Sequence, residues 1–260
     1  MFSGLLIILL PLVIGYLIPL HRPSALKLIT RFLSWIVYVI LFFMGISLAF
    51  LDNLASNLLA ILHYAAVSVV IIMLCNIAAL MWLEQKMPWQ NHHRQEKLPS
   101  RLAMALESLQ LCGVVLMTLR QIVLNRRGMI VAVVVMVSSL LGGVINAFIL
   151  DLPLKTGLAM ASGFGWYSLS GILLTESYGP VIGSAAFFND LARELLAIML
   201  IPGLVRRSRS TALGLCGATS MDFTLPVLQR SGGVEIVPAA IVHGFILSLL
   251  VPILMAFFSA

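Results

Sequence analysis

Charged side chains in the middle of an apolar stretch are the residues of this sequence that are best suited to chemistry. The run 182–205 contains Asn189, Asp190, Arg193 and Glu194 close to its midpoint. At a rise of about 1.5 Å per residue, these groups lie within roughly 6 Å of the centre of a helix formed by that run. An ionisable side chain at the centre of a membrane costs at least about 2.5–3.5 kcal/mol, so its presence points to a function.

The spacing of these residues indicates which chemistry they can perform. Asp190 and Glu194 are four residues apart and share a helix face, and Arg193 lies three residues after Asp190. Two carboxylates and one guanidinium leave one negative charge in excess, which calls for a proton or a cationic ligand. The alternative is a cluster of ion pairs that only joins helices. The excess charge favours a binding site over that alternative.

Asp222 is the second candidate, in the run 211–229. It lies beside Thr219 and Ser220, and carbonyl groups freed by an unwound helix, together with a carboxylate, suit an ammonium group or a small cation. An N-cap at the start of a helix explains Asp222 equally well, and the sequence leaves both interpretations open. Glu107, in the run 102–119, is a weaker candidate because its side chain can extend to the lipid headgroups.

The composition of the chain describes the environment of these charges. Of 260 residues, 61% are hydrophobic and 10% are charged, and the mean hydropathy is +1.07. A soluble protein carries about a quarter charged residues, so a soluble enzyme, a secreted disulfide scaffold and a disordered chain are excluded. The pattern predicts an all-α, polytopic helical membrane protein. Its net charge of +6 fits basic cytoplasmic loops rather than nucleic acid, and its three cysteines lack the spacing of a metal site.

Nine apolar runs must position the charged residues, and they form a single membrane domain over residues 1–260. The runs are 2–20, 32–51, 55–82, 102–119, 129–150, 156–175, 182–205, 211–229 and 234–258. We expect the basic clusters at 86–101 and 206–209 to be cytoplasmic and Asp151 to be periplasmic. This orientation places the N-terminus outside and represents about seven spans.

The charge pattern is inconsistent at one place. The basic clusters at 86–101 and 120–127 both indicate the cytoplasm, although only the run 102–119 separates them. Two cytoplasmic clusters require an even number of crossings between them. Either this run is re-entrant, or a segment near 115–117 is absent, and restoring it would give eight spans.

Two of the apolar runs contain too much glycine and serine for rigid helices. The segment 156–180 has glycines at 157, 163, 165 and 171, and the segment 211–229 combines Gly214 and Gly217 with Pro226. Irregular backbone at membrane depth is tolerated where it borders protein or a polar cavity. We therefore predict two broken or re-entrant helices that flank the 182–205 helix, with interruptions near 163–168 and 217–222 and with Asp222 close to Glu194.

Enzymatic readings are disfavoured. Ser170 and His243 resemble the dyad of rhomboid proteases, but Ser168 stands where the rhomboid motif needs glycine. Asp190 and Asp222 could be paired as in an aspartyl intramembrane protease, but the motif of that family is absent. No phosphate-binding loop occurs either, which argues against an ATP motor. We expect no enzyme, no cofactor and no metal.

Four stretches of the sequence resemble the bacterial LysO (YbjE) lysine-exporter family, nearly end to end. They are FFMGISLAFLDNLASNLLAILHY, GFGWYSLSGILLTES, GSAAFFNDLARELLAIMLIPGL and GATSMDFTLPVLQRSGG. The resemblance implies a multi-pass protein of the bacterial inner membrane that exports L-lysine and its analogue thialysine. It also implies that acidic residues inside the membrane are essential, with the strongest match at Glu194, followed by Asp190 and Asp222. Members of the family continue with a further span after Val115, and here that span is missing.

The residues and the resemblance together predict secondary export coupled to inward proton movement. Glu194 and Asp190 exchange a proton for the substrate ammonium in this reading, and Asp222 completes the cation site with Ser220 and Thr219. The alternative is a channel-like or structural membrane protein whose charges only pair. Protons, lysine and membrane lipid are the expected partners.

Overall fold

The computed structural model describes residues 54–89 and 125–260, together with the isolated positions Trp35, Phe42 and Ile46. The first two predicted spans, the run 102–119 with Glu107, and the positions 115–117 near which an absent segment is predicted lie outside these residues. Within the described ranges every regular element is a helix and none is a strand. This confirms the all-α class.

In the described ranges, six α-helices precede the first 3₁₀ turn and two follow it. The α-helices are α1 (Leu54–Lys86), α2 (Arg126–Ile149), α3 (Leu154–Ala161), α4 (Tyr167–Tyr178), α5 (Pro180–Arg207), α6 (Arg209–Leu215), α7 (Leu225–Gly232) and α8 (Val237–Phe258). The 3₁₀ turns are Gly217–Met221 and Val234–Ile236.

Three helices in the described ranges are long and apolar enough to cross a membrane. They are Asn57–Lys86 within α1, Arg126–Ile149 and Val237–Phe258. The shortest, with 22 residues, measures about 33 Å and exceeds the roughly 30 Å of a hydrocarbon core. Helix α5 is long enough as well, with 28 residues, but its polar side chains make it less hydrophobic than these three.

Helices α1 and α2 pack side by side and run in opposite directions. The absence of a Cβ at Gly142 lets Ile72 approach closely, since an added Cβ would lie 3.1 Å from the Ile72 Cα. Towards the end of α1, Asn76 Nδ2 donates to Ser139 Oγ at 3.1 Å. The bundle therefore has a Lys86 end, where α1 finishes and α2 begins, and an opposite end.

Helices α3 and α4 form a hairpin that enters the bundle at the end opposite Lys86 and returns to that same end. Leu152, just before α3, donates its N–H to Ala147 at the close of α2 at 2.9 Å. At the other end of the hairpin, Tyr178 Oη donates to the carbonyl of Phe258, the last residue of α8, at 2.7 Å. The backbone is non-helical between Ala161 and Tyr167. This is the re-entrant segment that the sequence predicts at 156–180.

A second hairpin enters from the Lys86 end and consists of α6, the turn Gly217–Met221 and α7. Arg209 at its start forms an ion pair with Glu235, just beyond its end, with 3.4 Å between Nη1 and Oε2. Both ends of the segment therefore lie on the same side. From α2 onwards the order of elements is long helix, hairpin, long helix, hairpin, long helix, with the two hairpins pointing in opposite directions. The sequence itself shows no such repeat.

The tips of the two hairpins touch inside the bundle. The Ala218 N–H donates to the Phe164 carbonyl at 2.9 Å. Gly217 has a φ of +60° and sits so close to Phe164 that an added Cβ would overlap its carbonyl oxygen. Phe164 is fully buried, so this contact lies in the core.

Candidate functional site

Asp190 on α5 binds the broken backbone of the first hairpin. Its Oδ1 accepts the Gly165 N–H at 3.1 Å, and it also lies 3.3 Å from Asn189 Nδ2 and 3.4 Å from Arg193 Nη1. The other side of the carboxylate packs against Gly163, where an added Cβ would overlap it. Asp190 therefore lies at the start of α4, where free amides and the helix dipole stabilise an anion.

Arg193 neutralises this carboxylate within α5. Asp190 is fully buried and Arg193 is 2% exposed, and their side chains form an ion pair. A buried charge of this kind persists only when it is paired. In the described ranges the two remaining ion pairs are Glu84–Arg127 and Arg209–Glu235, so neither Glu194 nor Asp222 has a cationic partner there.

Of the two carboxylates beside Arg193 on α5, Glu194 is the one without a cationic partner among the described residues. It lies beside the Thr219 side chain at the tip of the second hairpin. Asp190 and Asp222 are both near enough to interact with its charge, and Tyr167, the first residue of α4, interacts with Glu194 and Asp222. The tertiary structure thus brings Glu194 and Asp222 together at the junction of the two hairpins.

Asp222 does not serve as the N-cap of α7. Thr224 occupies that position, and an Asp222 oxygen accepts the N–H of the adjacent Phe223 at 2.6 Å. Asp222 is exposed, unlike Asp190. Its carboxylate is therefore accessible to a ligand.

The hydroxyl groups of the second hairpin are largely engaged in internal hydrogen bonds. Thr219 Oγ1 donates to the Cys216 carbonyl at 2.9 Å. Ser220 Oγ donates to the Ala240 carbonyl on α8 at 2.9 Å and lies 2.9 Å from His243 Nδ1. Ser220 thus contacts α8. Its proximity to Asp222 in the sequence does not predict this contact.

The two protease pairings do not form. Ser170 Oγ donates to the Tyr167 carbonyl at 3.2 Å, and His243 contacts Ser220 instead. Asp190 is paired with Arg193. His243 itself makes the interhelical contact that is usual for a histidine within a span. The backbone amide of Gly165 is part of the site, and the sequence indicated it only through the glycine-rich pattern of the segment.

Comparison with known proteins identifies the family of this chain. A family model described as "Lysine exporter LysO" matches residues 104–259. This chain belongs to the lysine exporter LysO family. The resemblance found in the sequence is thereby confirmed. This member of the LysO family is a helical membrane protein.

Two curated relatives support this assignment. The "Lysine exporter LysO" of Escherichia coli strain K12 is 73% identical over 299 aligned positions, which cover all of both chains. A "Putative lysine exporter" of Haemophilus influenzae is 50% identical over 143 residues, 55% of this chain and 73% of the relative. No solved structure matches the chain. The first alignment is longer than the 260 residues of this LysO-family chain, so the Escherichia coli protein contains sequence without a counterpart here.

Proposed function

We propose that this protein exports L-lysine across the bacterial inner membrane in exchange for protons. Membership of the lysine exporter family and the names of both relatives support the substrate. The geometry supports the mechanism, because the junction of the two hairpins contains carboxylates that have no cationic partner among the described residues.

The single observation that carries the mechanism is the pairing of Asp190 with Arg193. This pair is neutral as a unit, and Asp190 also accepts the Gly165 amide. The excess charge of the cluster therefore resides on Glu194, one turn further along α5. A carboxylate at this depth is neutralised either by a proton or by a cation. Exchange of one for the other couples proton entry to the exit of an ammonium group.

The charges of lysine match the groups at this junction. Lysine carries an α-ammonium, an ε-ammonium and a carboxylate, and thialysine carries the same three charges. Glu194 and Asp222 neutralise the two ammonium groups in this proposal, with Thr219 beside Glu194. The substrate carboxylate binds free amides at the first turn of α4 or at the turn Gly217–Met221, where the helix dipole favours an anion. Asp190 and Arg193 shape the site instead of exchanging the proton directly.

We further propose that the complete protein contains one more crossing near 115–117, within a single membrane domain. The inconsistent charge pattern around 102–119 supports this proposal. The greater length of the Escherichia coli alignment also supports it.

Lysine uptake into inside-out membrane vesicles tests the proposed function. Acidifying the vesicle interior should drive uptake, and dissipating the proton gradient should stop it. Glu194→Gln should abolish uptake, because the amide can neither release a proton nor attract the ammonium. Glu176→Gln is the matched control, since Glu176 is an exposed carboxylate at the end of α4.

The same assay distinguishes an exporter from a channel. A channel would equilibrate lysine across the vesicle membrane without any dependence on the proton gradient. Uptake that continues after the gradient is dissipated would contradict the proposed coupling, and normal uptake by Glu194→Gln would contradict the proposed site.

A further inference from the structure

His243 contacts the turn at the tip of the second hairpin from α8, whereas Glu194 contacts it from α5. His243 is fully buried, and its Nδ1 is 2.9 Å from Ser220 Oγ. The Gly217 backbone, at the other end of the same turn, also lies beside the imidazole. One side chain therefore touches both ends of the turn Gly217–Met221.

The hydrogen bonds of Ser220 determine which nitrogen of His243 carries the proton. The single hydroxyl proton of Ser220 is donated to the Ala240 carbonyl at 2.9 Å. The remaining contact of the hydroxyl must then be as an acceptor, so His243 Nδ1 is the donor. Nε2 is consequently unprotonated, and it has no partner among the described residues.

Two further contacts between α8 and the turn make this arrangement close and specific. Gly244 packs directly on the turn, since an added Cβ would lie 2.8 Å from both Ser220 Oγ and Met221 N. One turn later, Ser248 Oγ donates to the Ala218 carbonyl at 3.4 Å. Thr219, which lies beside Glu194, is held between residues that contact α8.

We propose that His243 is a positioning residue for the lysine site, acting through the hydrogen bond from its Nδ1 to Ser220. This inference rests on the proposed function. The bond orients the turn so that Thr219 and Asp222 face Glu194, and it requires a donor at Nδ1 but no proton at Nε2. His243 therefore contributes geometry to transport without carrying the transported proton.

Two isosteric substitutions separate the two nitrogens of His243. The Nδ2 of asparagine occupies the place of Nδ1, whereas the amide of glutamine occupies the place of Nε2. We would measure lysine uptake into inside-out vesicles against lysine concentration for H243N, H243Q, S220A and the double variant S220A/H243Q. Monodisperse elution in detergent and thermal stability report on folding.

H243N should retain a KM within about threefold of the unmodified protein and the same dependence of uptake on pH, because its donor remains. H243Q and S220A should each raise the KM about tenfold, the effect of losing one hydrogen bond. The double variant should be no worse than the single variants, since both remove the same bond. If H243Q cannot be recovered in folded form, S220A alone tests the inference, because the serine-to-alanine change deletes only one oxygen atom.

Two results would overturn the inference while the proposed function stands. One is uptake by H243Q and S220A with the KM of the unmodified protein. The other is an H243N variant as impaired as H243Q, or one whose pH dependence has changed. Absence of proton-driven lysine uptake by the unmodified protein would overturn the proposed function itself and this inference with it.

Discussion

The backbone N–H of Ala218 donates to the carbonyl of Phe164 at 2.9 Å, and this bond joins two hairpins that enter the bundle from opposite ends. Residue 164 lies in the first interruption and residue 218 in the second. Asp190 contacts the first interruption through Gly165, and Glu194, one turn later on the same helix, lies beside Thr219 in the second. Helix α5 therefore carries one carboxylate towards each hairpin tip.

Asp190→Asn should destabilise the protein far more than Glu194→Gln, although the two changes are chemically alike. The first leaves the buried Arg193 guanidinium without its counter-ion, which costs about 3–5 kcal/mol. Thermal unfolding of purified protein in detergent measures the difference. The double variant Asp190→Asn with Arg193→Met should recover part of the loss, because it removes the stranded charge. Equal stability of the two single variants would contradict the structural role of Asp190.

Gly163→Ala should displace Asp190 and lower both stability and lysine transport. An added Cβ would overlap the Asp190 carboxylate, which is fully buried. Gly203→Ala, on the exposed face of α5, is the matched control because no atom lies within 4 Å of the added Cβ. The control should be neutral or stabilising by up to about 1 kcal/mol through helix propensity. If both variants behave alike in thermal unfolding and transport, the packing of Gly163 on Asp190 has no role.

Gly217→Ala should separate the hairpin tips and reduce transport strongly. Its φ is +60°, and the added Cβ would overlap the Phe164 carbonyl. Gly233→Ala has a similar positive φ of +80° but open space around the Cβ. Both variants incur the strain of a left-handed backbone, about 1–2 kcal/mol, but only the first breaks the contact between the tips. Vesicle uptake should therefore fall in Gly217→Ala and persist in Gly233→Ala.

Cysteines introduced at both ends of each hairpin should react from one side of the membrane. In a background with the three native cysteines replaced by serine, Lys155→Cys and Ser177→Cys should react with an impermeant maleimide from the periplasm. Arg207→Cys and Arg230→Cys should react only from the cytoplasm, in line with the positive-inside rule. All four positions are exposed. Labelling of residues 155 and 177 from opposite sides would show that the first hairpin crosses the membrane completely.

The sequence was sufficient to predict the membrane class and the two interruptions. Low charge, high hydropathy and the length of the apolar runs exclude a soluble fold. Glycine and serine at high density disfavour a continuous helix through local backbone entropy and competing hydrogen bonds. These are properties of short segments, so they can be recognised without knowledge of the tertiary structure.

The different roles of Asp190 and Glu194 depended on tertiary contacts. The two residues lie on the same face of one helix, and their spacing makes them equivalent in the sequence. They differ because Asp190 meets the amide of Gly165, 25 positions away, and pairs with Arg193, whereas Glu194 meets Thr219 of the other hairpin.

The contacts of Ser220 also could not be predicted from the sequence alone. Its neighbours in sequence place it with Asp222, but the packing of α8 against the turn directs its hydroxyl to Ala240 and His243. A hydroxyl binds whichever acceptor or donor the fold brings within about 3 Å. Chain segments far apart in sequence supply those partners, and so only the tertiary structure decides them.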